Sequence, residues 1–414
     1  MNFGLLISFF IPFIYVCFSI LREKHPVSFR GFFYIFALFF YSIAAFVQFF
    51  EPIGEYTVSK QTFFEINLIL FLCYILYDIV YFNIFSTNEK TATPDSPYSS
   101  QELSTNSIYF LFILLTVLGI FTAWKNNFNL HNLLFRGGDA ELERVTFENQ
   151  SIALILGNLR IMFSLVAFSF ILYSKSKKTK LVGLFFLLFF CAPTATARYF
   201  TAAAYIPILF AIYPKFIYSR FLFKFLMLGG VLFVFPLLEI FRHSEMSEYR
   251  PWQMFCSLHF DSYISLAYVY EKEFVTYGYQ LLGCIFFWIP RSFWPSKPVG
   301  SGHTIAEMDN LFDGFTNISM NFLGEGYINF GFFGIFLFIV IFALFSKKMD
   351  QIFWEKYRGD LLNSFSMFYL YILGMIFFVL RGDLLSGTAY TVGICVMIYI
   401  ISKVITWGLK NTNE

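Results

Sequence analysis

The chain has 414 residues, of which 58% are hydrophobic and 14% charged, with 62 phenylalanines and a net charge of +2. Soluble domains carry about a quarter charged residues, so this chain lacks the polar surface that water requires. A soluble enzyme, a nucleic-acid-binding protein and a secreted disulfide scaffold are excluded, leaving an all-α polytopic membrane protein.

In chain order, eleven apolar stretches approach the roughly 20 residues that a membrane crossing takes. They run 3–21, 31–50, 62–85, 107–124, 151–173, 181–194, 199–214, 221–241, 327–346, 361–380 and 388–408. The first has no basic residue before it and no small-residue cleavage site, so it reads as a retained helix and not a signal peptide. Pro193, Thr194, Thr196 and Arg198 interrupt one long apolar run, which predicts a tight hairpin of two short helices. The whole of 1–414 reads as one integral membrane domain. Its cysteines lie in apolar sequence without CxxC or Cys/His spacing, which argues against a disulfide, redox or zinc role.

Lys and Arg set the orientation. The loops at 22–30, 86–106, 174–180, 215–224 and 346–360, with the tail from 403, hold seventeen of the 29. That side is expected to be cytoplasmic, with the N-terminus outside and the C-terminus inside. Segment 86–106, rich in Ser and Thr, reads as a polar cytoplasmic linker. The segment 242–322 reads as a large outer loop, too aromatic for disorder. Within it, 252–270 is expected to lie amphipathically on the membrane surface, and 280–289 to dip partway into the bilayer.

Arginines on the outer side run against the charge bias. Arg198 sits at the hairpin tip, Arg242 at the end of the eighth stretch, Arg291 in FFWIPRSFWPSKPVGSGHT and Arg381 at the end of the tenth. Arg160 lies inside the fifth stretch, where a charge costs about 2.5–3.5 kcal/mol on the insertion scale. Snorkelling to headgroups or structural ion pairs explains any one of them. A shared anionic ligand at the outer leaflet explains the convergence of Arg198, Arg291 and Arg381, since a guanidinium fork suits phosphate oxygens.

In the Pro/Gly-rich PRSFWPSKPVGSG, Lys297 adds a cation, while Trp294 suits either a sugar face or the interfacial belt. His303 is the one histidine there. Glu325 stands among glycines in FLGEGYINFGFFG, and Asp383 follows Arg381 in LRGDLLSG, where an Arg–Asp pair is its plain alternative. Asp139, Glu141 and Glu143 form an acidic run that suits a solvated loop face better than a metal site. No zinc spacing, phosphate loop or nucleophile elbow is present.

Four segments carry a family resemblance: TATARYFTAAAYIP, IPRSFWPSKPVGSG, SMNFLGEGYINFGFFG and FFVLRGDLLSG. With the apolar stretches, they make the chain resemble bacterial O-antigen polymerases of the Wzy type. The resemblance implies a GT-C-like fold in the cytoplasmic membrane, with an active site at the outer face. It implies joining of undecaprenyl-pyrophosphate-linked oligosaccharide repeat units without cofactor or metal, alongside a chain-length regulator and a flippase. Carried onto this chain, Arg198, Arg291 and Arg381 are the pyrophosphate-binding positions, supported by Lys297. Arg160, Arg242, Asp383 and Trp294 are further substrate contacts. The general base stays open, with Glu325 ahead of His303 and Asp383. An O-antigen ligase shares the donor and the arginines, and a flippase for the lipid-linked unit is the alternative from another class.

Overall fold

The computed structural model describes residues 3–54, 56–83, 102–135, 157–234, 251–308 and 318–410. Among these the backbone is helical, and extended pairing is limited to a bridge between Ile53 and Tyr56. Seven of the described helices are long and apolar enough to cross a membrane: Phe3–Arg22, Phe29–Phe50, Lys60–Phe82, Thr105–Lys125, Phe322–Lys356, Ser364–Arg381 and Leu384–Leu409. Gly157–Tyr173, Arg198–Ile212 and Lys224–Phe233 are apolar but shorter. Large apolar side chains such as Phe3, Phe18, Leu21, Phe225 and Phe333 face outward. Water would penalise so much exposed apolar surface, whereas lipid covers it without cost. The protein is an all-α, multi-pass membrane protein.

The chain divides into two compact units. The first comprises Met1–Glu89, Ser247–Gln351 and Ile376–Ala389. Here the helix Lys60–Asn83 packs between Phe3–Arg22 and Phe322–Gln351. Ser28 starts the second helix, its Oγ accepting from Gly31 N at 2.9 Å. That helix widens into a π turn at Ala37–Ile43, and Tyr41 on this turn donates to Asn321 Oδ1 at 3.0 Å.

The helix Phe322–Gln351 is broken at Phe330 and Gly331. Gly331 has φ +62° and ψ −149°, a conformation that only glycine takes without strain. Across this break Gly326 and Gly334 approach so closely that a Cβ on either would collide with the other's carbonyl. The glycines of GEGYINFGFFG therefore let a span fold back against itself.

Of the expected surface segment 252–270, Trp252 and Gln253 are exposed, but the helical part does not lie on a surface. The helix Ser262–Glu271 is buried from Ser262 through Val269, on every side, against Phe322–Gln351 and Lys60–Asn83. Its serines and tyrosines suggested a polar face, but their hydroxyls are met inside the protein, as when Tyr263 donates to Asn67 Oδ1 at 3.0 Å. Residues 279–285 form one short helix.

The second unit comprises Lys90–Met246, Ile352–Met375 and Tyr390–Glu414. At its centre is Ile161–Tyr173, every residue of which is buried. Lys177–Phe190 and Arg198–Ile212 both pack on it. The expected hairpin is thus two helices laid on a common third, tied where Tyr205 donates to Cys191 O at 2.9 Å. Ser164 and Tyr371 share a hydroxyl bond of 2.7 Å in the same core. Of the expected linker, Thr105 and Asn106 belong to the helix that Ser104 caps, and 86–101 lie outside the described residues.

Candidate functional site

In the first unit, three of the segments singled out by sequence meet. Glu325 projects from the first turn of Phe322–Gln351 and is 1% exposed. Its Oε2 accepts from Ser301 Oγ and its Oε1 from Leu384 N, both at 2.9 Å. Leu384 is the first residue of the helix Leu384–Lys410, so a buried carboxylate sits at a helix N-terminus, where the backbone dipole favours it.

Asp383 caps the same helix, its Oδ1 accepting from Ser386 N at 2.9 Å. Its carboxyl lies against Gly300, where a Cβ would come within 3.0 Å. Asp383 therefore does not form the local pair with Arg381 that their spacing suggested.

Arg381 turns instead to Asp261, 120 residues earlier. Its Nε lies 3.5 Å from Asp261 Oδ1, and its Nη2 donates to Leu258 O at 2.6 Å. Asp261 is wholly buried and also accepts from the Ser319 hydroxyl at 2.7 Å and from Ser319 N at 3.2 Å. Burial pushes the Asp261 carboxyl above the usual carboxylate range, while Arg381 and Ser319 pull it back. Arg381 itself stays 30% exposed.

The Pro-rich loop uses its own cations. Arg291 donates through both Nη atoms to the carbonyls of Lys297 and Pro298, and Lys297 Nζ donates to those of Phe287 and Ile289. Burial, then the nearby Arg291 charge, lower the Lys297 ammonium below its ordinary value. Both residues lock the loop, a role the sequence reading did not assign, although Arg291 remains exposed. Burial pushes the Cys284 thiol up, Glu325 and Asp383 add to the rise, and Lys297 opposes it. Trp294 donates to Ser296 Oγ at 3.1 Å and meets Tyr279 edge-on. His303 Nδ1 lies 3.4 Å from Glu307 on the helix Ser301–Met308.

Arg160 and Arg198 belong to the second unit. Arg198 opens the helix Arg198–Ile212, and Arg160 lines a separate cavity beside it. Arg242, Arg250, Asp139, Glu141 and Glu143 lie outside the described residues. All six cysteines are free thiols. Among the described residues, no group of three or more His, Cys, Asp or Glu side chains is arranged to hold a metal.

The sequence reading missed Asp261, Ser301, Asn321 and Asn329. Asn321 and Asn329, both wholly buried, lie one turn before and one turn after Glu325 and tie that stretch to its neighbours. Asn321 Nδ2 donates to Ser262 O at 2.6 Å, and Asn329 Oδ1 accepts from Leu281 N at 2.7 Å. A signal existed: Asn321, Glu325 and Asn329 recur every four residues, which puts all three on one helix face. Nothing local marked Asp261 or Ser301.

Compared with known proteins, the chain matches no family model, no curated protein and no solved structure.

Proposed function

We propose that this protein is a membrane glycosyltransferase that polymerises oligosaccharide repeat units carried on a polyprenyl pyrophosphate, of the O-antigen polymerase kind. The observation that supports the reading is the meeting of 291–303, 319–329 and 381–387, where Glu325 bonds Ser301 and Leu384 N and the Asp383 carboxyl lies against Gly300, with Arg381 on the last of these segments. Segments distant in sequence thus bring two carboxylates, Glu325 and Asp383, together. The reading includes eleven crossings in a GT-C-like arrangement, with the N-terminus outside and this cluster at the outer face of the bacterial cytoplasmic membrane. It also includes a flippase and a chain-length regulator as partners.

The chemistry assigned to the cluster is a single displacement. A hydroxyl of the incoming unit attacks the anomeric carbon of the growing glycan; the new glycosidic bond forms as the bond to the pyrophosphate oxygen breaks. The hydroxyl proton passes to a carboxylate, and the lipid pyrophosphate departs as an anion. Between the two carboxylates, Asp383 suits the base role better. Both Glu325 oxygens are engaged and the residue is buried, so it positions Leu384 and Ser301. Asp383 uses Oδ1 for the helix cap and is only half-buried. A base must reach the proton it takes. Arg381, anchored along one edge by Asp261, presents the rest of its guanidinium to the leaving group, and fixed charge of this kind is usually the largest catalytic term.

The test uses purified full-length protein and a lipid-linked repeat unit, with products read by mass spectrometry. Dimers and longer glycans on one lipid, with release of free lipid pyrophosphate, are expected. A substrate that stays monomeric while a lipid A core acceptor becomes glycosylated overturns polymerase in favour of ligase.

A further inference from the structure

The second unit holds a cavity of about 200 Å³ at the ends of several helices. Its lining includes Lys125, Asn126, Arg160, Ala197, Tyr199 and Tyr390, with no carboxylate among the described residues. Ligand pockets for drug-sized molecules run to about 300–1,000 Å³. This one suits a headgroup or a phosphorylated monosaccharide, not an oligosaccharide.

Two groups in the lining are left incomplete. Among the described residues the Arg160 guanidinium has no hydrogen-bond or ion-pair partner; its backbone carbonyl accepts from Cys191 Sγ and Phe163 N. A guanidinium that lines a cavity and meets no anion there is free to take a phosphate on its planar fork. Asn126 is 1% exposed, and its Oδ1 has no donor among the described residues. Its orientation is fixed, because Nδ2 donates to Thr122 O at 2.7 Å, and flipping the amide would set oxygen against oxygen. The cavity thus asks for an anion and for a hydroxyl or amine donor at once. A third feature agrees with the anion: the 15-residue helix Arg198–Ile212 begins at Ala197 without a side-chain cap, so its positive end opens on the cavity. Tyr199 and Tyr390 meet edge to face at 5.5 Å and supply an aromatic wall of the sort that receives the carbon face of a polyol.

We propose that this cavity binds a small phosphorylated polyol, with the phosphate on Arg160 and Lys125 and a hydroxyl donating to Asn126 Oδ1. The chemistry is shared by a soluble sugar phosphate and by a glycerophosphate lipid headgroup. The inference does not rest on the polymerase reading, because no residue of the cluster around Arg381 takes part.

The experiment uses purified full-length protein and two arms. In the first, glucose 1-phosphate, inorganic phosphate and glucose are each titrated calorimetrically. In the second, native mass spectrometry counts lipid retained from phosphatidylglycerol or phosphatidylcholine nanodiscs. Saturable binding of glucose 1-phosphate, at least tenfold tighter than of phosphate or glucose alone, identifies a soluble ligand. Selective retention of phosphatidylglycerol identifies the headgroup. In whichever arm binds, Arg160→Gln should weaken binding at least tenfold and Arg160→Lys by less. Asn126→Ala should remove the preference for the hydroxylated ligand while sparing the affinity for phosphate. Lys175→Gln, on an exposed residue elsewhere, should change nothing. Should Arg160→Gln fail to fold, Lys125→Gln and Asn126→Ala decide the matter. No binding in either arm overturns the proposal, as does wild-type binding by a folded Arg160→Gln, or inorganic phosphate binding as tightly as glucose 1-phosphate.

Discussion

Two arginines in the first unit, Arg30 and Arg381, face opposite situations. Arg30 is 2% exposed and completely answered. It donates to Glu23 at 2.7 Å, grips both Asp78 oxygens at 3.0 and 3.1 Å, and lies 4.8 Å from the ring centroids of Tyr34 and Phe82. Beside it, Asp350 accepts from Phe29 N and from the Tyr81 hydroxyl. Arg381 has one carboxylate at 3.5 Å, one carbonyl and an open side. A charge whose donors are all matched is architecture, because any ligand would have to displace a better partner. A charge matched on one edge is held in place and still able to bind.

The widest break in that comparison comes at Arg30. Arg30→Ala removes the cation that Glu23 and Asp78 both bond among packed aromatics, and breaking a buried pair costs about 3–5 kcal/mol. Loss of monodisperse protein on size exclusion, or a large fall in melting temperature, is expected. A well-folded variant would remove Arg30 from the architecture.

Asp383→Asn comes next, and it separates cap from base. Asparagine caps a helix about as well as aspartate, so the melting temperature should hold. General-base catalysis contributes about 10²–10⁴-fold, so the polymerisation rate should fall by that order. A rate within a factor of a few of wild type would return the base role to Glu325 or His303.

Arg381 sharpens the contrast with Arg30 most directly. Arg381→Lys keeps the charge opposite Asp261 but loses the planar fork; a rate loss of about tenfold is expected, with stability nearly unchanged. Arg381→Ala strands Asp261, so its effect mixes folding with function. Adding Asp261→Asn should restore the melting temperature and leave the rate low. Recovery of both would make Arg381 another Arg30.

The smallest effect concerns Glu271, a surface carboxylate that pins the start of Lys60–Asn83. It accepts from Ser59 N at 2.7 Å and from the Thr62 hydroxyl. Burial pulls its carboxyl upward, but the bonds from Thr62 and Ser59 outweigh this and hold it below the ordinary range. A depressed carboxylate stabilises above its unfolded value, and that contribution disappears as pH falls through the folded one. Thermal stability should therefore decline below pH of about 4, and Glu271→Gln should flatten the decline. Unchanged acid slopes would show that Glu271 adds nothing.

Position along the chain was easily read, because a run of apolar residues makes a helix in lipid whatever surrounds it. Each of the eleven apolar stretches contains a helix, and seven of the described helices reach crossing length. The error over 262–269 has the same root. Tyrosines and serines on a helix mark a wet face only if no other hydroxyl or amide meets them, and here partners such as Asn67 and Asn321 do.

What the residues determined by themselves was local: the all-α class, the break at Gly331, the cap at Asp383, and the polar row Asn321, Glu325 and Asn329 along one face. Each follows from backbone sterics or helical spacing within a few residues. Which charges were already satisfied was decided by tertiary structure. Arg291 and Lys297 looked like ligand-seekers and close their own loop, whereas Arg381 found its partner in Asp261 and Arg30 in Asp78. A charge in an apolar protein takes whichever partner packing brings within about 3 Å, and sequence separation does not measure that distance.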